Sequence, residues 1–255
     1  MLTTVIHGAP TDAPPLLIAH GLFGSARNWG VIAKRLSDSR QVIAVDMRNH
    51  GASPWAASHS YSDLAQDLAE VIAAHGGVCD VLGHSMGGKA AMVLALSQPA
   101  LIRRLIVADI APVAYGHSQR HLIAAMRAVD LSTIRLRSDA DVQLQAHVAD
   151  ATTRAFLLQS LDTKGPNWTL NLDVLDAEMD DITGWPVDLQ GLNDGPTLFL
   201  LGAESDYMTD TGRKAARTYF PKARFAKITG AGHWLHAEKP REFEASVRVF
   251  LNASS

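Results

Sequence analysis

Gly83-His84-Ser85-Met86-Gly87 decides how the rest of the chain is read. The apolar run Val78-Cys79-Asp80-Val81-Leu82 before it reads as a short buried strand, and Met86 through Ser97 after it reads as a helix. A chain that passes from strand to helix in so few residues turns so sharply that its middle residue takes strained dihedrals. The positions two before and two after must then lack side chains to avoid collision. Glycine stands at both, so Ser85 is expected alone at the tip of a strand, in a nucleophile elbow. A serine hydroxyl is a weak nucleophile at neutral pH. The reading therefore requires a base, an acid to orient that base and an oxyanion hole elsewhere in the chain.

Working outward from the elbow, strand-like runs alternate with helix-like segments, the pattern of a mostly parallel sheet with helices on both faces. Thr4-Val5-Ile6 is a weak first strand. Leu16-Leu17-Ile18-Ala19, Val42-Ile43-Ala44-Val45 and Leu105-Ile106-Val107-Ala108 are stronger ones. Between them lie helices striped by Trp29, Ile32, Ala33 and Leu36, and by Leu64, Leu68, Val71 and Ile72. From about Tyr115 to Leu192 the rhythm changes to helical or irregular segments without a strong strand. It resumes with the strand Thr197–Leu201, a helix to about Phe220, the strand Arg224–Ile228 and a last helix opened by Pro240, with Phe243, Val247, Phe250 and Leu251 inward. The expected organisation is one α/β domain made of residues 1–114 and 193–255, with residues 115–192 inserted as a helical cap.

The 255 residues carry 23 basic and 26 acidic side chains without a block of like charge, which argues against a nucleic-acid groove or a polybasic membrane contact. The single cysteine, Cys79, excludes an intrachain disulfide and suits a buried strand position. The stretch MLTTVIHGAP lacks the basic and apolar regions of a secretion signal, and no run approaches the ~18 apolar residues of a spanning helix. A soluble, cytoplasmic protein is expected, as monomer or homodimer, with no membrane partner.

Position selects the base among 11 histidines. His233 follows the last strand in the glycine-bearing loop Thr229-Gly230-Ala231-Gly232-His233-Trp234, matching the order serine, acid, histidine of hydrolases on this topology. His20 and His84 flank the site, one in the turn after the first strong strand and the other inside the elbow, where its side chain is expected to point away from the substrate. The oxyanion hole needs two backbone N–H donors. Met86, just after the nucleophile, and Leu22, in His20-Gly21-Leu22-Phe23-Gly24, are the candidates. Two aspartates at strand ends compete for the acid, Asp109 in Asp109-Ile110-Ala111-Pro112 and Asp206 in Gly202-Ala203-Glu204-Ser205-Asp206. Parallel strands bring all their C-termini to one edge, so either can reach the far ring nitrogen of His233.

Five segments together resemble the α/β-hydrolase superfamily: His20-Gly21-Leu22-Phe23-Gly24-Ser25, Asp46-Met47-Arg48-Asn49-His50-Gly51, Gly83 to Lys89, Asp109-Ile110-Ala111-Pro112-Val113 and Gly230-Ala231-Gly232-His233-Trp234. Within it they are similar to the group of the bacterial esterase YbfF and the mitochondrial abhydrolase-domain-containing protein 11. Phe156-Leu157-Leu158 and Trp168-Thr169-Leu170-Asn171-Leu172 resemble that group's cap. The resemblance implies a serine carboxylesterase acting on small to medium, largely uncharged acyl esters or thioesters, without metal or cofactor. It favours Asp109 as the acid, because members often lack an aspartate after the penultimate strand. This chain departs from those members by carrying Asp206, which stays the alternative. The loop Arg48-Asn49-His50-Gly51 is shared across the superfamily as a structural turn, with no catalytic role assigned.

Ser85 excludes the dehalogenases and epoxide hydrolases of this fold, which need an aspartate at the elbow. Carbon–carbon bond hydrolases and cofactor-free perhydrolases share the serine and are the alternative chemistries; a weakly catalytic ligand-binding receptor is the alternative class. Phe23, Trp234 and Tyr207 adjoin the catalytic loops and are the expected substrate contacts. In the cap, Met126, Phe156, Leu157 and Trp168 are candidates to line the pocket, though helical spacing suits cap core equally.

Overall fold

The computed structural model describes residues 1–253, and every count below refers to those residues. Strands β1 (Thr4–His7), β2 (Leu16–Ala19), β3 (Val42–Val45), β4 (Cys79–His84), β5 (Ile102–Ala108), β8 (Thr197–Gly202) and β9 (Arg224–Ile228) form one sheet in the order β1-β3-β2-β4-β5-β8-β9. All neighbours are parallel except β1, which lies antiparallel on β3. The short strands β6 (Leu161–Asp162) and β7 (Asn167–Trp168) form a separate antiparallel hairpin in the inserted segment. At two residues each they are too short for an alternating pattern to reveal them, so the expected helical cap contains a hairpin as well.

The helices are α1 (Gly30–Leu36), α2 (Tyr61–Ala74), α3 (Met86–Ser97), α4 (Arg120–Arg127), α5 (Arg137–Leu144), α6 (Ala151–Leu157), α7 (Leu172–Ala177), α8 (Met179–Thr183), α9 (Asp210–Tyr219), α10 (Leu235–Glu238) and α11 (Pro240–Leu251). None is long and apolar enough to cross a membrane. Successive strand residues point to opposite faces, and each face has its own core. Leu16, Ile18, Val42 and Ala44 pack with Trp29 and Ile32 of the α1 region and with Phe243 and Val247 of α11. Leu17, Ile43, Val81 and Val107 pack on the other face with Leu64 and Leu68 of α2 and Met92 of α3. That double burial explains why the central strands read as unbroken apolar runs.

α4 to α8 and the β6–β7 hairpin occupy the stretch between β5 and β8. The hairpin's exit is joined to the loop after β3: Gly51 N–H donates to Thr169 O (2.8 Å), Asn171 N–H donates to Asn49 O (3.0 Å), and His50 and Leu170 form an isolated antiparallel bridge. The parallel strands deliver the turn after β2, Ser85 after β4, Asp109 after β5, Ser205 after β8 and His233 after β9 to one edge of the sheet.

Candidate active site

Ser85 links β4 directly to α3, with φ 52° and ψ −119°. Such a conformation in a non-glycine residue costs about 1–3 kcal/mol and persists only where its surroundings hold it. Here Ser85 N–H donates to Ala108 O on the neighbouring strand (3.0 Å), and Ser85 O accepts from Lys89 N–H in the first turn of α3 (3.0 Å). A Cβ on Gly83 would sit 2.3 Å from Gly87 O, and one on Gly87 would sit 2.5 Å from both Ala19 O and His20 O. Neither position admits a side chain, for the reason the elbow reading supplied.

The turn after β2 also approaches Ser85 closely, since a Cβ on Gly21 would lie 3.1 Å from Ser85 Cβ. Gly21 O accepts from Gly24 N–H (3.0 Å) and from His20 Nδ1–H (2.8 Å). With its oxygen held from two directions, the Gly21–Leu22 peptide plane is fixed, and with it the direction of Leu22 N–H. That N–H has no acceptor among the described residues, whereas Phe23 N–H donates to His50 Nε2 (3.2 Å). His20 Nε2 accepts from Met47 N–H (2.9 Å), so His20 must be the neutral Nδ1–H tautomer. Burial, which pushes its pKa down to about 4, agrees. Met86 opens α3, where N–H groups lack intrahelical acceptors and carry the positive end of the helix dipole.

His233 Nδ1 and Asp109 Oδ2 are 2.7 Å apart. Asp109 is wholly buried and adopts φ 51°; its Oδ1 accepts from Gly202 N–H (2.9 Å), and its Oδ2 also accepts from Ser205 Oγ–H. Asp206 is exposed and makes no contact with His233 among the described residues. His233 lies against two rings: Tyr207 stacks on it at 3.9 Å between centroids and 18° between planes, and His84 lies at 4.8 Å. His84 Nε2–H donates to His233 O (2.8 Å), which pins the main chain of the loop. Burial first, then the proximity of His233, hold His84 well below its ordinary pKa. With Nδ1 taken by Asp109, Nε2 is the ring nitrogen of His233 left for Ser85. The Ser85–His233 hydrogen bond is not formed here, a contact that in unliganded sites commonly tightens only with substrate.

Ser85, His233, Leu22 and Met86 all line one cavity of about 490 Å³ between the sheet edge and the cap. Phe23, Tyr207 and Trp234 line it too, although one face of Tyr207 is already taken by His233. Of the cap candidates only Phe156 reaches the cavity, its ring 5.4 Å from that of Trp234. Met126, Leu157 and Trp168 are buried in the cap, where Trp168 Nε1–H donates to Met126 O (2.9 Å). Lys89 is a buried wall residue with no carboxylate partner among the described residues. Its ammonium donates to Thr183 O (2.9 Å) and Gly184 O at the end of α8, 4.8 Å from the centroid of the Tyr115 ring. Among the described residues no cluster of three or more His, Cys, Asp or Glu side chains is arranged to hold a metal ion.

Sequence reasoning passed over Lys89 and Ser205, read His50 only as part of a structural turn, and set His84 aside as pointing away from the substrate, whereas its ring lines the cavity. Their roles arise from partners distant in sequence, and no local spacing marks them; the one available signal was the placement of His84 and Lys89 inside the elbow segment itself.

A strained serine at a strand-to-helix elbow, on the same sheet edge as a buried aspartate paired with a histidine, is the elbow geometry of an α/β-hydrolase scaffold. The alpha/beta hydrolase family model matches residues 16–246, and the chain belongs to that family. It is 41% identical over 249 residues to the sn-1-specific diacylglycerol lipase ABHD11 of Mus musculus, covering 93% of this chain and 81% of that one. To esterase YbfF of Escherichia coli (strain K12) it is 39% identical over 241 residues, covering 93% of each chain. The solved structure of a marine microorganism esterase superimposes with a TM-score of 0.92 at 37% identity, covering 98% of both. By homology the chain is an enzyme, an α/β hydrolase of the esterase/lipase type.

Proposed function

We propose that the protein is a serine carboxylesterase that cleaves small to medium acyl esters or thioesters through an acyl-enzyme, with Ser85, His233 and Asp109 as its triad. The observation that carries this reading is the 2.7 Å Asp109–His233 pair facing the cavity that Ser85 lines. His233 Nε2 takes the proton as Ser85 Oγ attacks the acyl carbonyl. Asp109 keeps Nδ1 protonated and stabilises the imidazolium. The N–H groups of Leu22 and Met86 receive the developing oxyanion. The proton then passes from His233 to the leaving alcohol or thiol, and a water activated by the same nitrogen cleaves the acyl-enzyme.

The cavity's size falls in the range of small-molecule sites. Leu22, Phe23, Ile110, Leu122 and Phe156 give it an apolar body suited to an acyl chain, and His117, Gln119 and His121 give it a polar rim suited to the alcohol or thiol portion. The name of the mouse relative specifies diacylglycerol, so glycerides belong in the substrate panel beside simple esters. The test is hydrolysis of p-nitrophenyl esters, acyl thioesters and acylglycerols by the wild type and by Ser85→Ala. Turnover of at least one class that falls by roughly 10⁴-fold or more in the variant is expected. Equal rates in the two proteins would contradict the reading.

A further inference from the structure

Phe23 occupies the second central position of the turn closed by Gly24 N–H and Gly21 O, and it does so with φ 63°, a conformation usually left to glycine. Both peptide groups that flank it are pinned from outside the turn. Its N–H donates to His50 Nε2 (3.2 Å), and its carbonyl oxygen accepts from Ser160 Oγ–H (2.8 Å). His50 is fully buried, and its Nδ1–H donates to Arg48 O (2.9 Å), which leaves Nε2 as the acceptor that Phe23 requires. Ser160 is buried in the cap, just before the β6–β7 hairpin.

The two pins belong to one frame. Ser160 O accepts from Thr169 N–H (2.8 Å) and Thr169 Oγ1–H (3.0 Å), Thr169 O accepts from Gly51 N–H (2.8 Å), and His50 is bridged to Leu170. A core loop and a cap hairpin thus grip the same residue, one on each side. That residue directly follows Leu22, whose N–H has no acceptor among the described residues.

On the esterase reading above, we infer that Ser160 and His50 are positioning residues of the oxyanion hole. The cap hairpin and the loop after β3 hold Phe23 in its left-handed conformation and thereby aim Leu22 N–H at the carbonyl oxygen of the bound acyl group. The cap is then a structural part of the catalytic machinery as well as a wall of the pocket. Loss of either pin lets Phe23 relax toward negative φ, opens the Gly24 N–H to Gly21 O bond that closes the turn, and so removes one of the two holds on the Gly21–Leu22 peptide, weakening oxyanion stabilisation without touching Ser85, His233 or Asp109.

The test uses Ser160→Ala, which removes one oxygen atom, and His50→Gln, assayed with a p-nitrophenyl ester at concentrations corrected by fluorophosphonate active-site titration. Affinity for an alkyl trifluoromethyl ketone, which forms a tetrahedral adduct with Ser85, is measured in parallel. Each variant is expected to lose about tenfold or more in kcat per titrated site with KM within about threefold, since one oxyanion donor is worth about 10²–10³. Ketone affinity should fall by the same factor as kcat/KM. A support role confined to stability would lower Tm and the titrated fraction only. Turnover per site and ketone affinity within twofold of wild type in both variants would overturn the inference. Absence of Ser85-dependent turnover in the wild type would instead sink the esterase reading, and this inference with it.

Discussion

Asp109 Oδ2 lies 2.7 Å from His233 Nδ1, and the carboxylate that makes this contact is itself held by Gly202 N–H and Ser205 Oγ–H at the end of the next strand. The orientation of the His233 ring is therefore set by two neighbouring strand ends together. Asp206, one residue beyond Ser205, stands outside this arrangement on the surface.

Asp109→Asn is expected to lower kcat by about 10²–10⁴-fold, because an amide cannot hold His233 in the required tautomer or stabilise its protonated form. Asp206→Asn should change kcat by less than about twofold, as surface substitutions away from a site usually do. Steady-state kinetics of the two variants side by side decide the assignment of the acid; a larger loss in Asp206→Asn would reverse it.

Lys89 gives a prediction about stability. Burial pushes its pKa down to about 7 from 10.5, and no carboxylate among the described residues offsets the desolvation of the ammonium. Below about pH 7 the folded protein bears the full penalty of a buried charge. Between 7 and 10.5 the unfolded chain binds the extra proton, so stability rises with pH by at most ~1.4 kcal/mol per unit. The neutral amine keeps two N–H donors, enough for Thr183 O and Gly184 O. Urea unfolding of wild type and Lys89→Met at pH 7 and pH 9 should show wild type gaining about 1–3 kcal/mol on the variant. A pH-independent difference would contradict this account of the lysine.

The buried histidines act at the acid end. Burial lowers the pKa of His20 to about 4, of His50 to about 3 and of His236 to about 3. Each is neutral and hydrogen-bonded or packed in the fold but takes up a proton near pH 6.5 once unfolded, so stability present above pH 6.5 is lost as pH falls from there toward 4. A slope of ~1.4 kcal/mol per pH unit is the ceiling for each such group. Thermal unfolding between pH 7 and 4 should show a steep fall in Tm. In His50→Gln that fall should be shallower.

The pocket wall predicts selectivity. Phe156 from the inserted segment and Trp234 from the loop after β9 both line the cavity, their ring centroids 5.4 Å apart. Phe156→Ala should raise kcat/KM for longer acyl chains relative to acetate esters by about 10- to 100-fold, the scale of one to three kcal/mol of pocket discrimination. A panel of p-nitrophenyl esters of increasing acyl length measures it; an unchanged profile would remove Phe156 from the acyl pocket.

Fold and site were legible in the sequence to different depths. Doubly buried strands such as Leu16–Ala19 announce themselves as apolar runs, and Gly83 and Gly87 announce the elbow, because each reflects a constraint that acts within a few residues. The choice between Asp109 and Asp206 was open from the residues because both stand at strand ends, and only strand neighbours and side-chain direction separate them. His50, read as part of a structural turn, accepts from Phe23 N–H across 27 positions, and Ser160 donates to Phe23 O across 137. Contacts of that range leave no periodicity to read. Nor do the two-residue strands β6 and β7.

Covalent labelling shows whether Ser85 is the nucleophile of an acyl transfer. A fluorophosphonate probe should modify the wild type at one site, mapped by peptide mass spectrometry to Ser85. Ser85→Ala should take up no label, and His233→Ala should label far more slowly because its serine lacks the base. Undiminished labelling of Ser85→Ala, or a wild type that stays unlabelled while folded, would contradict the account.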